Sequence, residues 1–182
     1  EGIMVTLAGQ EVTLGTDLLY NIGDAVVGIE ICEDFFAPVP PSVLHALNGA
    51  EVIMNLAASP ELADKKAKRA ASVQAHSDRC SCIYAYASAG YTESTTDLVY
   101  SGHSLIAQNG RILAESDGVV SSDYLLVQDC DLGVIRASRR KNAIKIWTNT
   151  AIPLPPAFRW SSASWRGRGR FVPAAAAWSW AL

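Results

Sequence analysis

The chain has 182 residues, 49% of them hydrophobic and 18% charged. That fits one domain or one domain plus a tail, and excludes a collagen-like chain and a highly charged disordered polymer. The formal net charge of −3 averages two unlike pieces. Residues 1–131 hold all 18 acidic residues and six basic ones (−12), whereas residues 132–182 hold nine basic residues and no acidic one (+9). All five tryptophans follow residue 146.

In chain order, residues 26–31 (Val-Val-Gly-Ile-Glu-Ile) predict a buried strand that ends at Cys32. Pro40-Pro41-Ser42 opens a short helix through His45 and Ala46, which Asn48-Gly49 stops. Val52 to Leu56 is a second strand. Ser59-Pro60-Glu61 has the pattern of a helix start: a hydroxyl cap, Pro at the first position, an acid in the first turn. That helix would run to about Ser77 with its basic residues 65–69 on the solvated side. Residues 82–87 predict a third strand. His103 to Gln108, Asn109-Gly110 and Arg111 to Glu115 predict a β-hairpin. Tyr124 to Val127 predicts a last strand. Strands alternating with helices, then a hairpin, indicate an α/β layered domain.

Beyond about residue 142 no helical or strand period persists. Trp160, Trp165, Arg166-Gly-Arg-Gly-Arg170 and Ala174 to Ala177 follow three prolines at 153, 155 and 156. An aromatic, arginine-rich arm could bind nucleic acid. The lack of acids with Trp, Arg and Ala enrichment is closer to a GC-rich alternative reading frame. We therefore divide the chain into residues 1–142 and an unrelated or disordered tail, 143–182, and do not expect nucleic-acid binding.

No run of about 18 apolar residues exists, so no membrane span is expected. The first residues, Glu-Gly-Ile-Met-Val, do not resemble a signal peptide and read as the interior of a longer reading frame. Four cysteines do not make a disulfide framework, and Cys80 and Cys82 lack a second pair at zinc spacing, so no metal site is expected. A reducing, cytoplasmic setting follows.

Cys32 is the nucleophile candidate. It lies where an apolar strand meets a turn, where a side chain can stand exposed on a sharp exit. The backbone N–H of Glu33 could then donate to an oxyanion. A thiolate needs a base or cation beside it. Glu30 shares a strand face with Cys32 by alternation, but it equally suits a buried structural carboxylate. His45, His76 and His103 are the remaining partners, and none has a protease-like local pattern.

The segment Gly28-Ile-Glu-Ile-Cys-Glu-Asp-Phe-Phe-Ala-Pro-Val-Pro-Pro-Ser42 resembles the nucleophile region of the glutaminase domain of glutamine-dependent NAD synthetases, in the nitrilase (carbon–nitrogen hydrolase) superfamily. The likeness continues in order through Asn55-Leu-Ala-Ala-Ser59, Tyr84-Ala-Tyr-Ala-Ser-Ala-Gly90, Glu93-Ser-Thr-Thr-Asp97, Gly102-His-Ser-Leu-Ile106 and Asn109-Gly-Arg-Ile-Leu-Ala-Glu115. It spans about residues 12–142.

The resemblance implies an αββα four-layer sandwich, present here in part. It implies Cys32 attacking the side-chain amide of glutamine, with the Glu33 N–H in the oxyanion site and Ser59 and Lys65 holding the amino-acid end. It also implies a general-base Glu and an oxyanion-stabilising Lys upstream of the Cys. Only 31 residues precede Cys32, so we expect both to lie outside this chain, which is then an internal slice and a poor catalyst. Glu30 belongs to the strand motif and is not that base. For Glu93 and Asp97 the expectation is loop capping or an interface. The implied glutaminase step uses no cofactor. ATP and Mg serve a synthetase domain whose Ser-Gly-Gly loop is not found here. The implied partners are glutamine, that synthetase domain and, when complete, further copies of the chain. The competing assignments are a stand-alone nitrilase-type amidase and a nucleic-acid-binding protein acting through the tail.

Overall fold

The computed structural model describes residues 2–119, 122–141 and 160–161. The tail assignment therefore lies, but for two residues, outside the described part. Alternating Val, Thr and Leu residues form β1 (Ile3–Leu7) and β2 (Gln10–Leu14), an antiparallel ribbon turning at Ala8-Gly9 and separate from the main sheet. The main sheet contains β3 (Leu19–Ile22), β4 (Ala25–Ile31), β5 (Val52–Ala57), β6 (Ile83–Ser88), β7 (Leu105–Gln108) and β8 (Arg111–Glu115). A two-residue β9 (Trp160–Ser161) pairs with β3, giving the order β8-β7-β6-β5-β4-β3-β9.

The three central strands β4, β5 and β6 are parallel. Parallel strands are covered on both faces, which is why they read as apolar runs. Their hydrogen-bonded neighbours β3 and β7 run antiparallel. The connections are α1 (Pro41–Leu47) between β4 and β5, and α2 (Lys65–Cys80) between β5 and β6. One proline, Pro41, occupies the first helical position of α1, and Asn48-Gly49 ends the helix with Gly49 at φ +106°. A Cβ on Gly28 would lie 2.9 Å from the His45 ring, so α1 can pack onto β4 only over a glycine.

One face of the sheet packs Ile53, Tyr84, Tyr86, Leu105 and Ala107 against Phe35 and α2 residues Val73 and Cys80. The other face packs Val27, Val52, Ile83 and Ile106 against Ile135 of α3 (Leu132–Lys141), with Leu126 and Cys130 beside them. Toward the carboxyl ends of β4 and β5 that second face is open, with Ile31 61% and Leu56 44% exposed. The described residues thus build one helix-covered sheet, part of the layered arrangement that the resemblance implies.

Three expectations change. The Ser59-Pro60 pattern does not start a helix: α2 begins at Lys65, after Asp64 in the left-handed region at φ 63°. The intervening loop is pulled aside by Glu61, whose N–H donates to Val99 O at 2.7 Å. Tyr124 to Val127 alternates in exposure as a strand would, yet joins no ladder among the described residues. Arg69 is not solvated but 1% exposed. The change of charge after residue 131 falls inside the 1–142 segment, within which α3 packs on the sheet. Arg136 of α3 pairs with Glu51 at 2.6 Å, and Arg139 donates to the carbonyls of Ser81, Gly49 and Ala50. The hairpin is as expected, Asn109 and Gly110 both taking positive φ, which matches the twist of the strands they join.

Candidate active site

In a parallel sheet, ligands gather outside the carboxyl ends of the strands. Here that edge carries Cys32 after β4, Ser59 after β5, and the Ser88–Gly90 segment closing β6. β4 ends in a 3-10 turn, Cys32–Phe36, with Cys32 at φ 49°. Glu33 is the second residue of that turn, where a backbone N–H has no partner within the turn. The turn is fixed by Asp34, which accepts the Ile31 N–H at 3.0 Å, and by Phe35, which packs against Tyr84 and His76 at ring separations of 5.2 Å and 5.4 Å.

The thiol of Cys32 is half-buried, whereas Ser59 is buried. Tyr86 joins them. Its hydroxyl lies beside Ser59 and Arg69, and its ring sits under the Arg69 guanidinium at 5.7 Å. Burial pushes the Tyr86 hydroxyl up, opposed by Arg69 and Ser59, while the nearby Cys32 charge adds to the rise. Lys65 opens α2 at the end of the loop that Ser59 begins. Among the described residues no hydrogen bond or ion pair joins Lys65 to Cys32 or Ser59. The structure therefore brings Cys32, Glu33 and Ser59 to one edge, and leaves Lys65 half-buried at the head of α2.

Beneath the edge lies a network that sequence reasoning missed. Arg69 donates to Glu61 at 3.3 Å and to His103 Nδ1 at 2.7 Å. With Nδ1 accepting, the neutral ring carries its proton on Nε2, which donates to Glu115 at 2.8 Å. Ser101 donates to Glu61 at 2.6 Å. Burial raises the Glu61 carboxyl, but the Ser101 hydroxyl and the Arg69 guanidinium outweigh it and leave the group below its usual range. Glu61 is thus the pin that ties the Ser59–Lys65 loop to the body.

None of the three histidines is placed as a base for Cys32 by a hydrogen bond. His76 bonds the Ser42 hydroxyl at 2.8 Å and lies 3.5 Å from the Cys80 sulfur. His103 serves the Arg69 network, and His45 packs under β4 against Gly28. Burial holds all three imidazoles below their ordinary value, with Glu30 opposing at His45 and His76, and Glu115 opposing at His103.

A His with a lowered folded pKa binds its proton more readily when unfolded. Its contribution to stability is therefore complete above the unfolded value of about 6.5 and is lost as pH falls through the folded values. We expect the urea midpoint to fall steadily between about pH 7.5 and pH 5. Equilibrium urea titrations across that range check this, and a midpoint that rises on acidification contradicts it.

In the 91–97 segment the caps are hydroxyls rather than the acids. Thr95 Oγ1 accepts the N–H groups of Asp97 and Leu98 at 3.3 and 3.2 Å, and Ser94 Oγ accepts that of Tyr100 at 3.0 Å. A cleft of about 350 Å3 lies between the 32–36 turn and α2, lined by Phe35, Phe36, Pro38, Ala75, His76 and Arg79, and Cys32 does not line it. No helix of the described residues is long and apolar enough to cross a membrane.

No family model matches the chain. Over 138 residues it is 41% identical to the glutamine-dependent NAD(+) synthetase of Mycobacterium tuberculosis, covering 74% of this chain and 20% of that protein. The crystal structure of a glutamine-dependent NAD(+) synthetase from Cytophaga hutchinsonii superimposes with a TM-score of 0.55 at 31% identity, over 65% of this chain and 18% of the other. An amidase of the nitrilase superfamily from Nesterenkonia superimposes with a TM-score of 0.53 at 22% identity, over 71% of this chain and 47% of its own, a likeness of fold. The chain spans about a fifth of the length of the curated relatives it matches. By sequence and by fold, the matched three quarters of this chain are homologous to part of the glutamine-dependent NAD(+) synthetases, and they share the fold of a nitrilase-superfamily amidase.

Proposed function

We propose that this chain carries the nucleophile and part of the glutamine site of a glutaminase. The Cys32 thiolate attacks the side-chain amide carbon of glutamine. The C–N bond breaks, the nitrogen leaves as ammonia with a proton, and a γ-glutamyl thioester remains. Water then cleaves the C–S bond, giving glutamate and the free thiol. The Glu33 N–H donates to the oxyanion of each tetrahedral intermediate. Ser59 and Lys65 hold the amino-acid end, the ammonium matching the α-carboxylate. In the full-length protein the ammonia would amidate nicotinic acid adenine dinucleotide at the expense of ATP, with Mg, in a synthetase region. No glutaminase step uses either.

The observation that carries this reading is the left-handed turn that sets Cys32 at the carboxyl end of β4, on the same sheet edge as Ser59 after β5. No lysine precedes Cys32 in the 182 residues. We therefore expect slow turnover by this chain alone, since a tetrahedral oxyanion without its cationic partner is poorly stabilised.

The reading is tested with a chloroketone shaped like glutamine, which alkylates a thiolate without needing a catalytic acid. L-Glutamine should slow labelling of Cys32, and Lys65→Met should weaken that protection roughly tenfold. Protection by simple aliphatic amides equal to that by glutamine would favour the amidase assignment instead. No protection by either would remove the substrate assignment altogether.

A further inference from the structure

Cys32 sits at φ 49°, a conformation that costs a non-glycine residue and persists only where its surroundings impose it. Asn55, in the middle of β5 and 1% exposed, touches both ends of that residue. Its Oδ1 accepts the Cys32 N–H at 3.1 Å, and its Nδ2 reaches the Cys32 carbonyl at 3.5 Å. The same Nδ2 lies 3.2 Å from the Tyr84 hydroxyl oxygen.

An amide can usually be turned over without changing its shape. Here its sense is determined from below. Glu30 is 2% exposed; one carboxylate oxygen accepts the Ser42 N–H at 2.9 Å, and the other accepts the Tyr84 hydroxyl. A carboxylate only accepts. The single Tyr84 proton is therefore committed to Glu30, and the Tyr84 oxygen is left to accept. Asn55 must present Nδ2 to it, which leaves Oδ1 for the Cys32 N–H. Burial and the Glu30 charge both raise the Tyr84 hydroxyl, so that it remains a donor.

We propose that Asn55 is the positioning residue for Cys32, and that the buried Glu30–Tyr84 pair fixes the sense of its amide and so the conformation of the nucleophile turn. Glu30 then acts on Cys32 through two intervening side chains and not as a base. The inference rests on the assignment of Cys32 as nucleophile and deepens it, adding residues that hold the thiol without touching substrate.

Amide hydrogen exchange at Cys32, followed in the intact chain by NMR, tests it. Asn55→Leu removes every bond and should speed exchange at Cys32 by roughly tenfold or more, leaving Ile53 and Tyr84 amides unchanged. Asn55→Asp keeps an acceptor and should return exchange to within roughly threefold of the parent rate. Glu30→Gln, which can itself donate to Tyr84, should speed exchange at Cys32 although it touches neither Cys32 nor Asn55. If Asn55→Leu does not fold, Tyr84→Phe, which loses only a hydroxyl, serves in its place. Exchange at Cys32 unmoved by Glu30→Gln and Tyr84→Phe, or as fast in Asn55→Asp as in Asn55→Leu, overturns the proposal. Labelling by the glutamine-shaped chloroketone separates the two readings. Should L-glutamine fail to slow labelling of Cys32, the nucleophile assignment fails, while the exchange rates still decide the positioning role.

Discussion

The Cys32→Ser variant is expected to lose covalent capture of a glutamine-shaped chloroketone by at least roughly a thousandfold, because a serine hydroxyl is scarcely ionised near neutral pH and is a weaker nucleophile than a thiolate. The other thiols should not compensate. Cys80 and Cys82 are buried in the sheet–α2 core, and burial with the Asp129 charge raises the Cys130 thiol, so less of it is thiolate. The substitution exchanges sulfur for oxygen at a half-buried position and leaves the Asn55 bond to the backbone intact. Its urea midpoint should therefore stay close to that of the parent. Intact-mass spectra before and after the reagent, with a urea titration, check both halves. A variant that still takes up the reagent at the parent rate contradicts the assignment of Cys32.

Arg69→Ala is expected to lower stability by about 3 kcal/mol, the range for breaking a buried charge pair from one side. Three losses combine. Glu61 and His103 lose their shared donor, the Tyr86 ring loses the guanidinium above it, and the Arg69 stem leaves a cavity in the face of α2. The cost is kept from being larger by Glu61, which is part-exposed and can turn to water. Arg69→Lys should cost less, about 1–2 kcal/mol, because an ammonium is a point charge that cannot hold Glu61 and His103 in one planar fork. Urea denaturation of the three chains at one pH gives the values, and a change under about 0.5 kcal/mol in Arg69→Ala would show the network to be inert. The same substitution leaves Glu61 held only by Ser101 and Val99, and so loosens the loop of Ser59. Protection of Cys32 by glutamine should weaken along with stability.

What could be read from the sequence was local. β4, α1 and β5 are bounded by Pro40-Pro41 and Asn48-Gly49, and the hairpin by Asn109-Gly110, residues whose backbone preferences act within a few positions. Cys32 was legible for the same reason, at the junction of an apolar run and a turn. Ser59 misled as a helix cap because its pattern is correct for one. The bond from Glu61 to Val99, thirty-eight residues on, overrides that local preference. Arg69 was placed in water because most arginines are there. Its partners lie 8 and 34 residues away and no spacing announces them. Asn55 was part of a quoted motif, yet its task depends on Tyr84 and Glu30 from two neighbouring strands. Register, rather than sequence distance, brings those three together: Glu30 faces Asn55 in one ladder, and Asn55 faces Tyr86, with Tyr84 two residues before it, in the next. The ribbon β1–β2 had an available signal in its alternation around Ala8-Gly9, and α3 in its apolar spacing. Its basic residues read as part of a charge excess running on to the C-terminus, although Arg136 and Arg139 bind Glu51 and the carbonyls below them.

The central claim is that Cys32 is the nucleophile of a glutamine site on the carboxyl edge of β4 and β5. A crystal structure of the chain after reaction with the glutamine-shaped chloroketone tests it most directly. The account predicts density continuous from Cys32 Sγ, the ketone oxygen within hydrogen-bond reach of the Glu33 N–H, and the amino-acid end against Ser59 and Lys65. An adduct on another cysteine, or a Cys32 adduct whose amino-acid end points away from Ser59 and Lys65, would contradict it.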